Sequence, residues 1–230
     1  MKILAIDTTS SLFSLCLLNG DDYDCIEYDA GVSHSSRILK EIQKILSSNN
    51  IEISELDGIA FSAGPGSFTG VRIASSVSYG LAYPFSIPII PVNTLEVIAS
   101  MASNEFVLAT IDARMKQIYF QLFKTHQDKS MTTLTEPQVL SPEDLPKLSE
   151  QTQKNLTIIG SGLTNYPDHF RKIYANFEFK KANIKQNQSY YLARRALLKT
   201  PFKFSLKNIN PHYVRNKVAF TIDERQKKRS

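Results

Sequence analysis

KILAID (residues 2–7) and FVLATID (106–112) decide the fold. Each is a short apolar run ending in an aspartate, Asp7 in the first and Asp112 in the second. After a short turn each is followed by a second apolar run, LFSLCLL (12–18) and IYFQLF (118–123). Beyond LFSLCLL, DYDCIEYDA (22–30) alternates with period two, so the chain opens as a meander of three strands. SHSSRILKEIQKILSS (33–48) then changes to helical spacing, with Ile38, Ile42, Ile45 and Leu46 on one face and Ser33 as the expected cap. DGIAFSA (57–63) reads as a buried strand and FTGVRIASSVSYGLAY (68–83) as a helix ended near Pro84. IPIIPV (87–92) and TLEVIASMA (94–102) complete an order βββαβαβα.

The second half begins the same theme again. A third strand is expected around MTTLTEPQVL (131–140), and SPEDLPKL (141–148) has the look of a helix start capped by Ser141. LTIIGSG (156–162) reads as a strand entering a glycine turn, LTNYPDHFRKIYA (163–175) as helical, and SYYLARRALLKT (189–200) as a later helix. The reading is an α/β protein with a two-lobed, duplicated actin/Hsp70-like (ASKHA, ribonuclease H-like) fold, βββαβα repeated, its second lobe degenerate. Residues 1–104 form the first lobe, 105–210 the second and 211–230 a basic C-terminal segment.

The chain has 230 residues and a net charge of +5, unevenly spread. Residues 171–230 hold sixteen Lys/Arg against three Asp/Glu, net +13, which leaves −8 on the first 170. Two readings of that basic end stay open: contact with a polyanion, nucleic acid first, or a solvated face. No window is apolar enough to span a membrane. The two cysteines, Cys16 and Cys25, are too few for a disulfide scaffold and read as packing thiols in a reducing cytoplasm.

Proteins of the two-lobed class bind ATP between the lobes, with strand-end acids organising the metal and glycine hairpins wrapping the phosphates. Here the hairpins after Asp7 (Thr8-Thr9-Ser10) and Asp112 (Ala113-Arg114-Met115) contain no glycine. Asp7 and Asp112 thus have two open readings, acceptors of turn N–H groups or remnants of a nucleotide site. SAGPGSFTGVRIASS (62–76) has its glycines at 64, 66 and 70 but no following Lys-Ser/Thr, so it is not a Walker loop. Gly66, Ser67 and Thr69 leave room for an anion at the helix start, and Ser67 or Thr69 also suits an N-cap. The four histidines, His34, His126, His169 and His212, show no paired metal spacing, and no GxSxG nucleophile accompanies them. No metal ligand set and no catalytic residue is assigned. The helix from 68 carries small residues on one side and Val71, Ile73, Val77 and Leu81 around the rest, which suits a helix covered twice.

MKILAIDTTSS (1–11), HSSRIL (34–39), GPGSFTGVRI (64–73), IPIIPVNTLEVIA (87–99), IDARM (111–115) and PHYVRNKVA (211–219) together resemble the TsaB (YeaZ) family. The likeness is densest over 1–115. It implies a non-catalytic dimerisation subunit in tRNA threonylcarbamoyladenosine biosynthesis, glycoprotease-like by ancestry only. That subunit pairs with the transferase paralogue TsaD, forms a homodimer when alone, and works with the ATPase TsaE on tRNA in the cytoplasm. The resemblance implies no tightly bound cofactor, with ATP or ADP at the TsaB–TsaD junction. It places Ile38, Ile42, Val71, Ile73 and Val77 in the apolar centre of the partner interface or its immediate support, and His34, Arg37, Glu41 and Arg72 at its polar edge. Ser36 departs from the family pattern, since many members carry Glu or Gln there. The bottom-up alternatives are an ATP-binding phosphotransferase or ATPase using Asp7 and Asp112, and a tRNA-binding module acting through the basic end.

Overall fold

The computed structural model describes residues 1–29, 34–174, 187–205 and 210–215. Strands β1 (Lys2–Asp7), β2 (Leu12–Asn19) and β3 (Asp22–Asp29) form the expected meander. Helix α1 (His34–Ser48) leads to β4 (Gly58–Ser62), α2 (Phe68–Ala82), β5 (Ile89–Val92) and α3 (Thr94–Ala99). The five strands lie in the order β3-β2-β1-β4-β5, with β1, β4 and β5 parallel and β2 and β3 antiparallel additions. The second sheet repeats this with β6 (Phe106–Arg114), β7 (Gln117–Thr125), β8 (Met131–Thr133), β9 (Gln138–Leu140) and β10 (Leu156–Ile159). Its order is β10-β6-β7-β8, with β9 also on β7, and β6 parallel to β10 as β1 is to β4. Helices α4 (Glu150–Lys154), α5 (Ser161–Asn165), α6 (Pro167–Ile173) and α7 (Gln188–Leu197) complete the described residues.

Period-two burial explains the layering. Along β1, Leu4 and Ile6 join Phe13, Leu15, Ile59 and Phe61 under Ile38, Ile42, Ile45 and Leu46 of α1. Ile3 and Ala5, pointing the other way, join Ala60, Ile90 and Val92 under Leu192, Ala193 and Ala196 of α7. The second sheet is sandwiched likewise. Leu108, Phe120 and Ile158 pack on Phe170, while Val107, Ala109 and Phe123 pack on Leu95, Ile98 and Ala99 of α3. Helices thus change partners between halves. The sequence reading put 188–197 with the second lobe, yet α7 covers the first sheet, and α3 from the first half covers the second. Where α3 and α7 meet, Arg195 donates to Glu96 through Nε (2.9 Å) and Nη2 (2.5 Å).

Three local expectations need correcting. MTTLTEPQVL contains two three-residue strands rather than one, both on β7. SPEDLPKL makes a single 3-10 turn, Pro142–Asp144, and the Ser141 side chain accepts no capping bond. Leu145, which precedes Pro146, is extended, because a residue before proline is pushed out of the helical region. Cys16 and Cys25 are cross-strand partners on β2 and β3, and their sulfurs are joined in a disulfide instead of packing as separate thiols. Ser33, the expected cap of α1, lies outside the described residues.

Candidate functional site

The loop from Gly64 to Gly70 is filled by the chain's own first hairpin. A Cβ at Gly70 would lie 1.8 Å from the Thr8 carbonyl oxygen, and one at Gly66 would lie 2.7 Å from Thr9 Cβ. Ser67 N–H donates to the Thr9 carbonyl (2.8 Å), and the Thr8 hydroxyl donates to the Gly70 carbonyl (2.6 Å). Ser67 also caps α2, accepting from Gly70 N–H at 3.2 Å, as its position suggested; Thr69 is exposed on the first turn. The glycines therefore admit another strand turn of the same chain.

Asp7 is equally committed. Its Oδ1 accepts from the backbone N–H (2.8 Å) and hydroxyl (2.7 Å) of Thr9. Its Oδ2 accepts from Gln188 Nε2 (2.6 Å) and from the Ser62 hydroxyl. The carboxylate is 1% exposed. Of the two readings left open, hydrogen bonding within the fold is the one this geometry supports, and the residues present do not fit a metal-bound triphosphate at this position. Asp112 is similarly used: Oδ1 accepts from Arg114 N–H (2.9 Å), and Oδ2 accepts from Asn165 Nδ2 (2.8 Å) beside the Arg114 guanidinium (3.4 Å). In the second half the glycine turn packs on a strand instead of a hairpin, since a Cβ at Gly160 would lie 1.9 Å from the carbonyl oxygen of Thr110 within β6. Among the described residues, no three His, Cys, Asp or Glu side chains converge on one point.

Asp7→Asn should therefore act on stability. An amide in this site sets its NH2 against an N–H donor, either Gln188 Nε2 or the Thr9 backbone, leaving a buried donor without an acceptor at a cost of about 3 kcal/mol. Denaturant unfolding should show that loss, while calorimetry with Mg-ATP should show no nucleotide-binding signal to lose. A strong Mg-ATP signal in the unsubstituted chain that disappears in the variant would restore the nucleotide reading.

Among the described residues, an open groove runs along the seam between α1 and α2. Gly70, Ala74, Ser78 and Ala82 recur every fourth residue and are buried, so α2 lies close on its sheet. The next stripe, Thr69, Arg72, Ile73, Ser76 and Val77, lines a groove of about 390 Å³ with Phe68, Ile38 and Leu39. Phe68 is 43% and Leu39 59% exposed, and Ile73 and Val77 are half-buried. The sequence-derived interface set thus divides in two. Ile38, Ile42 and Val71 are 1%, 2% and 4% exposed and buried, while Ile73 and Val77 stand half-buried on the groove wall. Arg37 and Arg72 are exposed and Glu41 is half-buried near Tyr28, whose phenol is pushed up first by burial and then by the Glu41 charge. His34 opens α1, but its side chain lies outside the described set.

One cluster was missed by sequence reasoning. The Arg72 guanidinium lies 3.6 Å over the Phe68 ring, and its Nε donates to the Tyr213 hydroxyl at 3.0 Å. Tyr213 belongs to a C-terminal strap, 210–215. There His212 N–H donates to the Ala63 carbonyl (2.7 Å) and Arg215 Nη2 donates to the Ala113 carbonyl (3.0 Å) and Gln117 Oε1 (2.7 Å). The motif PHYVRNKVA was the available signal, but only as part of a family likeness.

The sequence model of the TsaD family, tRNA N6-adenosine threonylcarbamoyltransferase, matches residues 28–224. The chain is 29% identical over 96% of its length, and of theirs, to the tRNA threonylcarbamoyladenosine biosynthesis protein TsaB of Haemophilus influenzae. It is 33% identical to the Escherichia coli protein of that name, over 73% of this chain and 74% of that one. The structure of YeaZ from Pseudomonas aeruginosa superimposes with a TM-score of 0.77 at 26% identity, covering 92% of this chain and 99% of the other. Doubled sheet, paired aspartates and clasped glycine turns define a protein of the duplicated ASKHA class to which TsaD-type chains belong. Within that class, this chain belongs to the TsaB (YeaZ) family.

Proposed function

We propose that the chain is a non-catalytic subunit in tRNA threonylcarbamoyladenosine biosynthesis, which binds a TsaD-type transferase through the α1/α2 groove and activates it. The observation that carries this reading is the groove itself: an open apolar seam on a chain whose Gly64–Gly70 loop is filled by its own first hairpin. A same-fold partner presenting its own equivalent helix pair would cover the half-buried Ile73 and Val77. The TsaE ATPase joins the pair, and ATP or ADP belongs at the junction between subunits, since Asp7 and Gly66 have no room for it. Two chains close the groove on each other when the partner is absent. The net +13 of residues 171–230 helps hold tRNA in the assembled complex. No described helix is long and apolar enough to cross a membrane, and the assembly is proposed to work in the cytoplasm.

The test is copurification with the TsaD-type subunit, then an assay with L-threonine, bicarbonate, ATP and tRNA. The chain alone should transfer nothing and should raise the partner's rate at least tenfold, roughly 1.4 kcal/mol in barrier. Transfer by this chain without the partner would overturn the assignment.

A further inference from the structure

The C-terminal strap ends beside the groove, and its contacts there are more specific than a passing chain requires. Tyr213 is 52% exposed, its ring centroid 6.0 Å from that of Phe68, and its hydroxyl accepts from Arg72 Nε. Arg72 is thereby held flat on Phe68 at the mouth of the groove it lines. We infer that the docking surface extends beyond the two helices onto Tyr213, which holds Arg72 and Phe68 in the form that the partner subunit meets.

The inference rests on the proposed docking role of the groove and adds a residue and a recognition chemistry to it. Tyrosine and arginine carry a disproportionate share of the energy of protein interfaces, above all next to an apolar centre. An arginine already fixed by an aromatic face and a hydroxyl loses little side-chain freedom on binding, so its orientation is available before the partner arrives. The strap is itself anchored at both sides. Its backbone passes so near Gly64, at φ +104°, that a Cβ there would lie 2.8 Å from the His212 carbonyl oxygen. Two residues beyond Tyr213, Arg215 holds the β6–β7 turn and lies 5.8 Å over the Tyr119 ring. The position of Tyr213 is therefore set jointly by the two halves of the molecule. The surface suits a partner that lays an apolar helix ridge along Ile73 and Val77 and sets a carboxylate against the Arg72 guanidinium, the fork-shaped donor that carboxylates fit best.

Affinity for the TsaD-type subunit, measured by titration calorimetry, tests this with Tyr213→Ala, Tyr213→Phe, Arg72→Ala, the Tyr213→Ala/Arg72→Ala double variant and Val77→Glu. Tyr213→Ala should weaken binding about tenfold and Tyr213→Phe about threefold, with thermal midpoints of the free chains little changed. The double variant should lose far less than the product of the two single losses, because both act through one guanidinium. Wild-type affinity in Tyr213→Ala with weak binding by Val77→Glu would overturn the inference while keeping the groove. Wild-type affinity in Val77→Glu would overturn the docking role and the inference with it. If Tyr213→Ala unfolds, Tyr213→Phe, Arg72→Ala and the Tyr213→Phe/Arg72→Ala double variant decide alone, and additive losses among them would overturn the inference.

Discussion

Gly70→Ala should leave little folded protein. The added methyl would lie 1.8 Å from the Thr8 carbonyl oxygen, and that neighbour is backbone, fixed between two buried strands. Relief requires moving the β1–β2 turn away from α2, which breaks the Ser67–Thr9 and Thr8–Gly70 hydrogen bonds together. The loss should exceed about 3 kcal/mol, a large part of the 5–15 kcal/mol that holds a typical domain. Gly80→Ala is the matched control. Gly80 is exposed on the same helix with nothing within 4 Å of the new methyl, so alanine should stabilise by about 0.5–1 kcal/mol through helix propensity. Denaturant midpoints of the two variants should move in opposite directions. Equal small shifts would mean that the turn is not clasped as described.

Val77→Glu should abolish assembly without unfolding the chain. Val77 is half-buried on the groove wall, so a glutamate there keeps its water in the free subunit and loses it only under a partner. Burying that unpaired charge costs about 3 kcal/mol or more, a hundredfold or more in Kd. Ile38→Glu is expected to behave differently. Ile38 is 1% exposed and packs in the core beneath α1, so its variant should fail to fold, and its missing complex would say nothing about docking. Light scattering with circular dichroism separates the two results. A folded Ile38→Glu, or an assembling Val77→Glu, would contradict these assignments.

The elements that sequence made legible are those with a local period. KILAID and FVLATID announced paired first strands, and the four-residue recurrence from Gly70 announced a closely packed helix. What escaped was pairing at long range. Asp7 ends its strand visibly, but the amide that satisfies it belongs to Gln188, 181 residues away. SYYLARRALLKT (189–200) read as a helix, but nothing in the stretch showed which sheet would receive it. Ile38 and Ile42 looked equally suited to a partner and to a core, because apolar spacing is the same for both. Only the depth of burial separates them from Val77. Tyr213 and Arg215 escaped for a related reason: a strap without regular structure leaves no period to read.

The exchange of α3 and α7 between the sheets bears on how the polypeptide is made. As it leaves the ribosome, the N-terminal half completes all five of its strands by Val92, yet Ile3, Ala5, Ala60 and Val92 wait for a lid that arrives with Leu192 and Ala196. About a hundred residues of synthesis separate the sheet from its cover, at least five seconds at ordinary elongation rates. During that interval a greasy, strand-rich surface faces solvent. A fragment ending at residue 104 should accordingly accumulate in inclusion bodies, and nascent chains arrested before residue 190 should be the ones on which chaperones are found.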